Sequence, residues 1–252
     1  MRLTVLGGSG AFPQPGVGCS GYLIEAGGYR LLVDPGYATV GELMRWMPAE
    51  AVDAVYVSHA HPDHCADLNP LLRARALRDD PPDPLPVYSP PSALDAVLAL
   101  DRPGMLGEAY EMREFAIGDS LRIGPLRIET RELPHFVPNA AVRITGDRGQ
   151  SMVYTGDGGP SRALVDLAAG ADLLVAEATY LQPTPDDPLL CDATTAAQQA
   201  TAADVGRLVL THLWPGDDPD VAVQAAAEYS GPLDVAQPGL VIELGRLDTL
   251  PR

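Results

Sequence analysis

The chain has 252 residues, of which 46% are hydrophobic and 20% charged. That balance is ordinary for a globular protein and excludes disorder, collagen or coiled coil as the main architecture. Seventeen basic residues against 34 acidic ones leave a formal charge of −17, a surface that repels polyanions and argues against a general nucleic-acid binder.

The N-terminal half reads as short strands and helices separated by turns. Leu3–Leu6 is a strand ending at Gly7-Gly8-Ser9-Gly10, and Gly21–Ala26 with Tyr29–Val33 forms a hairpin across Gly27-Gly28. The second hairpin strand stops at Asp34-Pro35-Gly36, Thr39–Trp46 is helical, and Ala54–Val57 is a short buried strand. Asp67–Leu77 spaces Leu68, Leu71, Leu72 and Ala76 for one helical face; Pro70 fits only in its first turn. The Pro- and Asp-rich stretch Asp79–Pro86 is a loop, followed by a strand at Val87–Tyr88 and a helix over Ser92–Leu100 with Ser92 at its start.

Tyr110–Phe115, Ser120–Ile123, Leu126–Leu133, Ala140–Thr145 and Ser151–Tyr154 then suggest an antiparallel meander. Arg162–Ala169, Ala193–Ala203 and Val221–Tyr229 read as helices, Leu173–Ala176 and Leu208–Leu210 as strands, and Val235–Ala236 and Leu240–Leu244 as strands closing the sheet. The order suggests two sheets face to face with helices outside, in a single domain spanning 1–252. Cys19, Cys65 and Cys191 are widely spaced, with no C-x-x-C pair, and read as reduced thiols. No signal-peptide core and no bilayer-length apolar run is evident, so a cytoplasmic protein without a membrane partner is expected.

Three of the five histidines lie in His59-Ala60-His61-Pro62-Asp63-His64, just beyond the strand Ala54–Val57. Imidazoles at i and i+2 project to one side of an extended backbone, so four potential ligands converge on one strand-end loop. A chance cluster this dense is rare, and its nitrogen and carboxylate donors suit zinc, manganese or iron. His135 and His212 also follow apolar strands, and between them Asp157 follows Met152–Tyr154 in Thr155-Gly156-Asp157-Gly158-Gly159. Taken singly, each of these three is an ordinary turn or strand-end residue.

The succession H-x-H-x-D-H, His, Asp, His, with Leu31-Leu32-Val33-Asp34-Pro35-Gly36 before it, resembles the metallo-β-lactamase superfamily over essentially the whole chain. The resemblance implies an α/β (α+β) fold, a four-layer αββα sandwich, with two divalent metal ions, zinc or alternatively manganese, at the sheet edges. It implies one metal held by His59, His61 and His135, a second by Asp63, His64 and His212, and Asp157 bridging both. It also implies that Asp34 orients a metal-ligand imidazole. Such a pair can hold a bridging hydroxide and keeps about one net positive charge after Asp63, Asp157 and the hydroxide are counted. A small anionic ester can therefore approach an acidic protein.

Within the superfamily the chain is most similar to the ribonuclease Z-like branch, through Leu3-Thr4-Val5-Leu6-Gly7-Gly8-Ser9-Gly10, but with two departures. Only about 21 residues separate His135 from Asp157, room for a hairpin and not for that family's tRNA-gripping arm. Its His-Glu-Ala-Thr motif reads Ala176-Glu177-Ala178-Thr179 here, leaving Glu177 either to assist proton transfer or to hydrogen-bond at a strand end. The chain resembles armless relatives akin to actinobacterial atypical class II cyclic-AMP phosphodiesterases. The resemblance thus implies a phosphodiesterase on a small molecule such as 3′,5′-cyclic AMP, with Asp63, Asp157 and Glu177 as its catalytic carboxylates. Thioester, lactone or carboxylic-ester hydrolysis uses the same site; tRNA processing and non-catalytic metal binding are the remaining alternatives. Asp79–Pro86, Asp101–Tyr110 and Tyr180–Asp192 are candidate pocket walls. Phe136 and Asn139, which follow His135, are candidate pocket residues, with Phe136 either stacking on a base or, the more frequent outcome for such a residue, packing in the core; Tyr37, Trp46 and Trp214 are further candidates, Trp214 the best positioned of these three. A homodimer is compatible with the sequence but not indicated by it.

Overall fold

The structure, a computed structural model, describes residues 1–184 and 187–245. Two seven-stranded sheets face each other. The first contains β1 (Arg2–Gly7), β2 (Gly21–Ala26), β3 (Tyr29–Val33), β4 (Ala54–Tyr56), β5 (Leu85–Ser89) and β6 (Tyr110–Glu114) in sequence order. The second contains β7 (Ser120–Ile123), β8 (Leu126–Leu133), β9 (Asn139–Thr145), β10 (Ser151–Tyr154), β11 (Leu173–Glu177), β12 (Leu208–Thr211) and β13 (Leu233–Val235). The last strand, β14 (Val241–Glu243), returns to the first sheet and pairs antiparallel with β1.

Both sheets change from antiparallel to parallel pairing partway across. β3, β4, β5 and β6 run parallel, as do β10, β11, β12 and β13. Parallel strands buried on both faces read as continuous apolar runs, as in Leu173-Leu174-Val175-Ala176 and Leu208-Val209-Leu210, all fully or nearly fully buried.

Three apolar clusters make the four layers. The inner one, with Leu3, Ile24, Leu31, Ile128, Val142, Met152 and Val175, lies between the sheets. One outer cluster packs the first sheet against α1 (Thr39–Trp46) and α3 (Leu68–Ala76) through Leu43, Leu68, Leu71 and Leu72. The other packs the second sheet against α5 (Arg162–Ala168), α6 (Ala193–Ala202) and α7 (Pro219–Ala225) through Leu164, Leu167, Ala196, Ala200 and Ala222. Three buried tyrosines tie the sheets together: Tyr22 to Thr211 Oγ1 at 2.5 Å, Tyr56 to the Ala140 carbonyl at 2.9 Å, and Tyr154 to Asp34 at 2.9 Å. All three cysteines are buried and free. Among the described residues no helix is long and apolar enough to cross a membrane.

Several expectations need correction. Tyr110–Glu114 does not begin the meander; it pairs in parallel with β5 in the first sheet. Phe115 then turns inward to stack on Tyr56 at 5.4 Å, and the chain crosses between sheets over residues 116–119. The two C-terminal strands close opposite sheets rather than one. Ser92 does not cap a helix: it has a positive φ, and only one turn, α4 (Asp95–Leu98), follows. The helix expected over Val221–Tyr229 runs over Pro219–Ala225, because Asp218 accepts the Asp220 N–H and Pro219 fits the first helical position. Asp63 and His64 do not lie in the strand-end loop with His59 and His61; they lie in a helical turn of their own, α2 (Pro62–Cys65).

Candidate metal centre

The candidate residues gather at the C-terminal ends of parallel strands, where open α/β sheets leave a crevice. Asp34 follows β3, and the His59–His64 segment follows β4. Asp157 follows β10, Glu177 ends β11 and His212 follows β12. His135 comes from the end of β8 in the same sheet as β10. The turns there are tight. A Cβ on Gly36 would lie 1.8 Å from the Asp63 carbonyl oxygen, and one on Gly10 2.9 Å from His212 Nδ1, so only glycine lets these backbones approach. Asp34 and His212 themselves have φ of 46° and 60°, an uncommon backbone region for residues with side chains.

Two donor clusters share one carboxylate. In the first, His61 Nδ1 lies 3.2 Å from His59 Nε2 and 3.0 Å from His135 Nε2, and Asp157 Oδ2 is 3.8 Å from each of the latter two. In the second, His212 Nε2 lies 3.1 Å from Asp63 Oδ2 and 3.3 Å from Asp157 Oδ2. His64 Nε2 there lies 3.2 Å from Asp157 Oδ1 and 3.6 Å from Asp63 Oδ2. Tetrahedral zinc with ligands at about 2.1 Å sets them about 3.4 Å apart, and both clusters scatter around that spacing.

Hydrogen bonds behind the rings decide which nitrogens are bare. Asp34 accepts the Ser58 N–H at 2.7 Å, the Ser58 hydroxyl at 2.5 Å, the Tyr154 hydroxyl at 2.9 Å and His64 Nδ1–H at 2.8 Å. Having given its proton to Asp34, Ser58 Oγ accepts His59 Nδ1–H at 2.9 Å. His135 Nδ1–H donates to the Leu189 carbonyl at 3.1 Å. Thr179 donates to Glu177 at 2.6 Å, so its oxygen accepts His212 Nδ1–H at 2.8 Å. Four histidines are thereby oriented with Nε2 facing the clusters. Lone pairs then confront one another: the single proton that His61 Nδ1 could offer cannot serve both His59 and His135. The buried atoms His64 Nε2 and Asp157 Oδ1 have no hydrogen-bond partner. A cation in each cluster resolves both conflicts, and the all-nitrogen-and-oxygen donor set suits zinc or manganese.

The electrostatics agree. Burial depresses His59, His61 and His135, and neighbouring histidines lower them further, so these rings are neutral. Burial also opposes charge on His64 and His212, but Asp157, with Asp34 and Asp63, overcomes it and raises both. Asp63 and Asp157 are held below the ordinary carboxylate range: burial pushes them up, and His212 and His64 more than reverse it. Without an ion, protons on His64 and His212 occupy the place of the second cation. Burial and Asp157 push Glu177 up to about 8.

Thus His59, His61, Asp63, His64, His135, Asp157 and His212 are brought together, and Asp34 stands directly behind His64. Glu177 is not one of the clustered donors; it accepts the Gly158 N–H and the Thr179 hydroxyl. Phe136 is not in the core; it is 60% exposed, its ring 5.2 Å from that of His135. Asn139, expected near the pocket, is fully buried and braces the Asp157 turn through the Thr155 and Asp157 carbonyls. The wall Tyr180–Asp192 includes two positions, 185 and 186, outside the described residues. Sequence reasoning missed Ser58, Tyr154, Thr179 and the Ala11 N–H, which donates to Asp63 Oδ2 at 3.0 Å. Period-two alternation from Glu177 could have found Thr179; nothing in the sequence points to Ala11.

Residues 29–213 match the family model described as "Beta-lactamase superfamily domain". The probable metallo-hydrolase YhfI of Bacillus subtilis is 32% identical over 249 residues, covering 96% of this chain and all of that protein. The crystal structure of YhfI superposes with a TM-score of 0.87 over 96% of this chain and 99% of that one. A ribonuclease Z of Haloferax volcanii is 28% identical across 99% of this chain and 96% of its own length. The short form of human tRNase Z has the same fold, with a TM-score of 0.78 at 23% identity, over 97% of this chain and all of that one.

Proposed function

Since this chain belongs to the metallo-β-lactamase superfamily, we propose that it is a dinuclear metal-dependent phosphodiesterase acting on a small phosphodiester, with 3′,5′-cyclic AMP as the first substrate to test. The observation that carries this reading is the sharing of Asp157 by two clusters of histidine and aspartate donors, within which the buried His64 Nε2 and Asp157 Oδ1 have no hydrogen-bond partner. In this reading His59, His61 and His135 hold one zinc or manganese ion, and Asp63, His64 and His212 hold the other. Such a pair supplies Lewis acidity, lowers the pKa of water toward neutrality and offsets charge developing on a phosphoryl group.

The chain's own contribution is orientation. Asp34 and Ser58 fix His64 and His59, Leu189 fixes His135, and the Glu177–Thr179 pair fixes His212. Glu177 then serves as a positioning carboxylate, since both its oxygens are occupied by donors of the chain.

The name of the Haloferax relative, a ribonuclease, supports phosphodiester chemistry. A small substrate is supported by two features. The interval between His135 and Asp157 holds β9, a tight turn and β10, with no extension to grip a polynucleotide, and the chain carries a charge of −17. The buried free thiols suit the cytoplasm.

Protein loaded with zinc or manganese is expected to hydrolyse cyclic AMP and bis(p-nitrophenyl) phosphate. Cleavage of thioesters or lactones with neither phosphodiester turned over would replace this reading with that of a carbonyl-ester hydrolase. Full metal occupancy without hydrolysis of any ester would leave a metal-binding protein.

A further inference from the structure

Two aromatic rings stand half in solvent beside the metal centre, and the packing of the fold does not use them. Phe12 is 50% exposed and Trp214 47%, and their centroids are 6.2 Å apart in an edge-to-face arrangement. Each is joined to the centre through the chain. Ala11, the neighbour of Phe12, donates its N–H to Asp63 Oδ2, and Trp214 lies two residues beyond His212.

The loops carrying them are stitched together. The Gly10 N–H donates to the Leu213 carbonyl at 2.9 Å, and Ser9 Oγ to the Phe12 carbonyl at 2.9 Å. Gln14 spans both loops, donating to Ser9 Oγ at 3.3 Å and accepting the Gly216 N–H at 3.1 Å. The rings are thus presented on an anchored backbone.

The chemistry of the centre says what they would take. Among the described residues, every ion pair there joins a histidine to an aspartate. Those pairs account for the charged groups that face one another in the centre, and the two rings beside it offer recognition of another kind. Aromatic faces recognise planar rings by stacking, whatever the hydrogen-bonding pattern of the ring.

We propose that Phe12 and Trp214 form an aromatic wall that binds a planar ring, such as a purine, carried by the ester substrate. This inference rests on the reading of the centre as hydrolytic. Trp46 and Trp214 are the only tryptophans of the chain, and Trp46 sits in the outer helical layer on α1. A Trp46→Phe variant therefore makes Trp214 the sole reporter in the zinc-loaded protein.

Its emission should be quenched saturably by adenosine 5′-monophosphate and not by ribose 5-phosphate, which carries the same phosphate without the ring. Phe12→Ala should weaken that binding about tenfold, and Phe12→Ala or Trp214→Ala should raise KM for cyclic AMP by a similar factor with kcat little changed. Trp214→Phe should recover most of the loss. Hydrolysis of cyclic AMP with KM unmoved by both alanine substitutions, and emission indifferent to AMP, would keep the proposed function and overturn the wall. Quenching by AMP in a protein that turns over no phosphodiester would overturn the function and keep the wall. A change of oligomeric state in both alanine variants with KM unaltered would overturn it too, making the pair a contact between copies.

Discussion

Replacing Asp34 by Asn probes the scaffold behind the metal centre without disturbing its backbone, because Asn tolerates the positive φ of 46° found there. Four donors converge on this one buried carboxylate: the Ser58 N–H and hydroxyl, His64 Nδ1–H and the Tyr154 hydroxyl. An amide has only one acceptor oxygen. If its NH2 occupies the Oδ1 position it faces the Ser58 N–H; in the other orientation it faces three donors. Either way at least one charge-assisted hydrogen bond is lost and one buried donor is left unsatisfied, costing about 3 kcal/mol in total. For a chain of this length that lowers Tm by roughly 10 °C.

The same change frees His64 to take the wrong tautomer, and loss of such a partner typically weakens metal binding about 10- to 100-fold. Thermal unfolding in chelator and competition against a chromophoric chelator measure the two effects separately. A variant that unfolds within about 1 °C of the parent and binds both metals as tightly would refute the claim that Asp34 organises the centre.

Thr179→Val should leave His212 Nδ1–H without an acceptor and Glu177 without one of its donors. Chelator competition is expected to show roughly tenfold weaker binding of one of the two metals, whereas equal weakening of both would contradict the assignment of His212 to a single site. Metal-free protein should lose stability as pH rises from about 6.5 to about 8. His64 and His212 are raised above their unfolded value, so their contribution is complete below that value and is lost as pH climbs through the folded one. Glu177, raised to about 8, acts in the same direction. Metal binding instead needs deprotonated donors, so the gap in Tm between loaded and metal-free protein should widen over that range; calorimetry showing a constant gap would contradict this.

Much of the fold is legible in local pattern. The β2–β3 hairpin is marked by Gly27-Gly28, and α5 and α6 begin at side-chain caps, Ser161 and Asp192. What is not legible is which sheet a strand joins. Tyr110–Glu114 alternates like the strands after it, and what places it in the first sheet is its parallel pairing with β5, accompanied by the stacking of Phe115 on Tyr56. The same holds for Leu233–Val235 and Val241–Glu243, whose partners are distant in sequence.

The donors of the centre are legible because histidine is scarce and three of the five are nearly contiguous. Their supports are harder to read. Tyr154 reaches Asp34 across 120 positions of sequence, and the Ala11 N–H reaches Asp63 across 52. Contacts of that kind follow from sheet register and turn geometry rather than from residue type. Asn139 and Phe136, three positions apart, show the same difficulty: the polar side chain at the start of β9 is buried on carbonyls that need a donor, and the apolar one in the preceding loop is left in solvent beside His135.

The central claim is that two cations share Asp157. Anomalous diffraction from crystals grown with zinc tests it most directly. Two peaks about 3.5–4 Å apart are expected, one within ligand distance of His59, His61 and His135, the other of Asp63, His64 and His212, with Asp157 touching both. A single peak, or two peaks with the carboxylate of Asp157 bound to neither, would contradict the account.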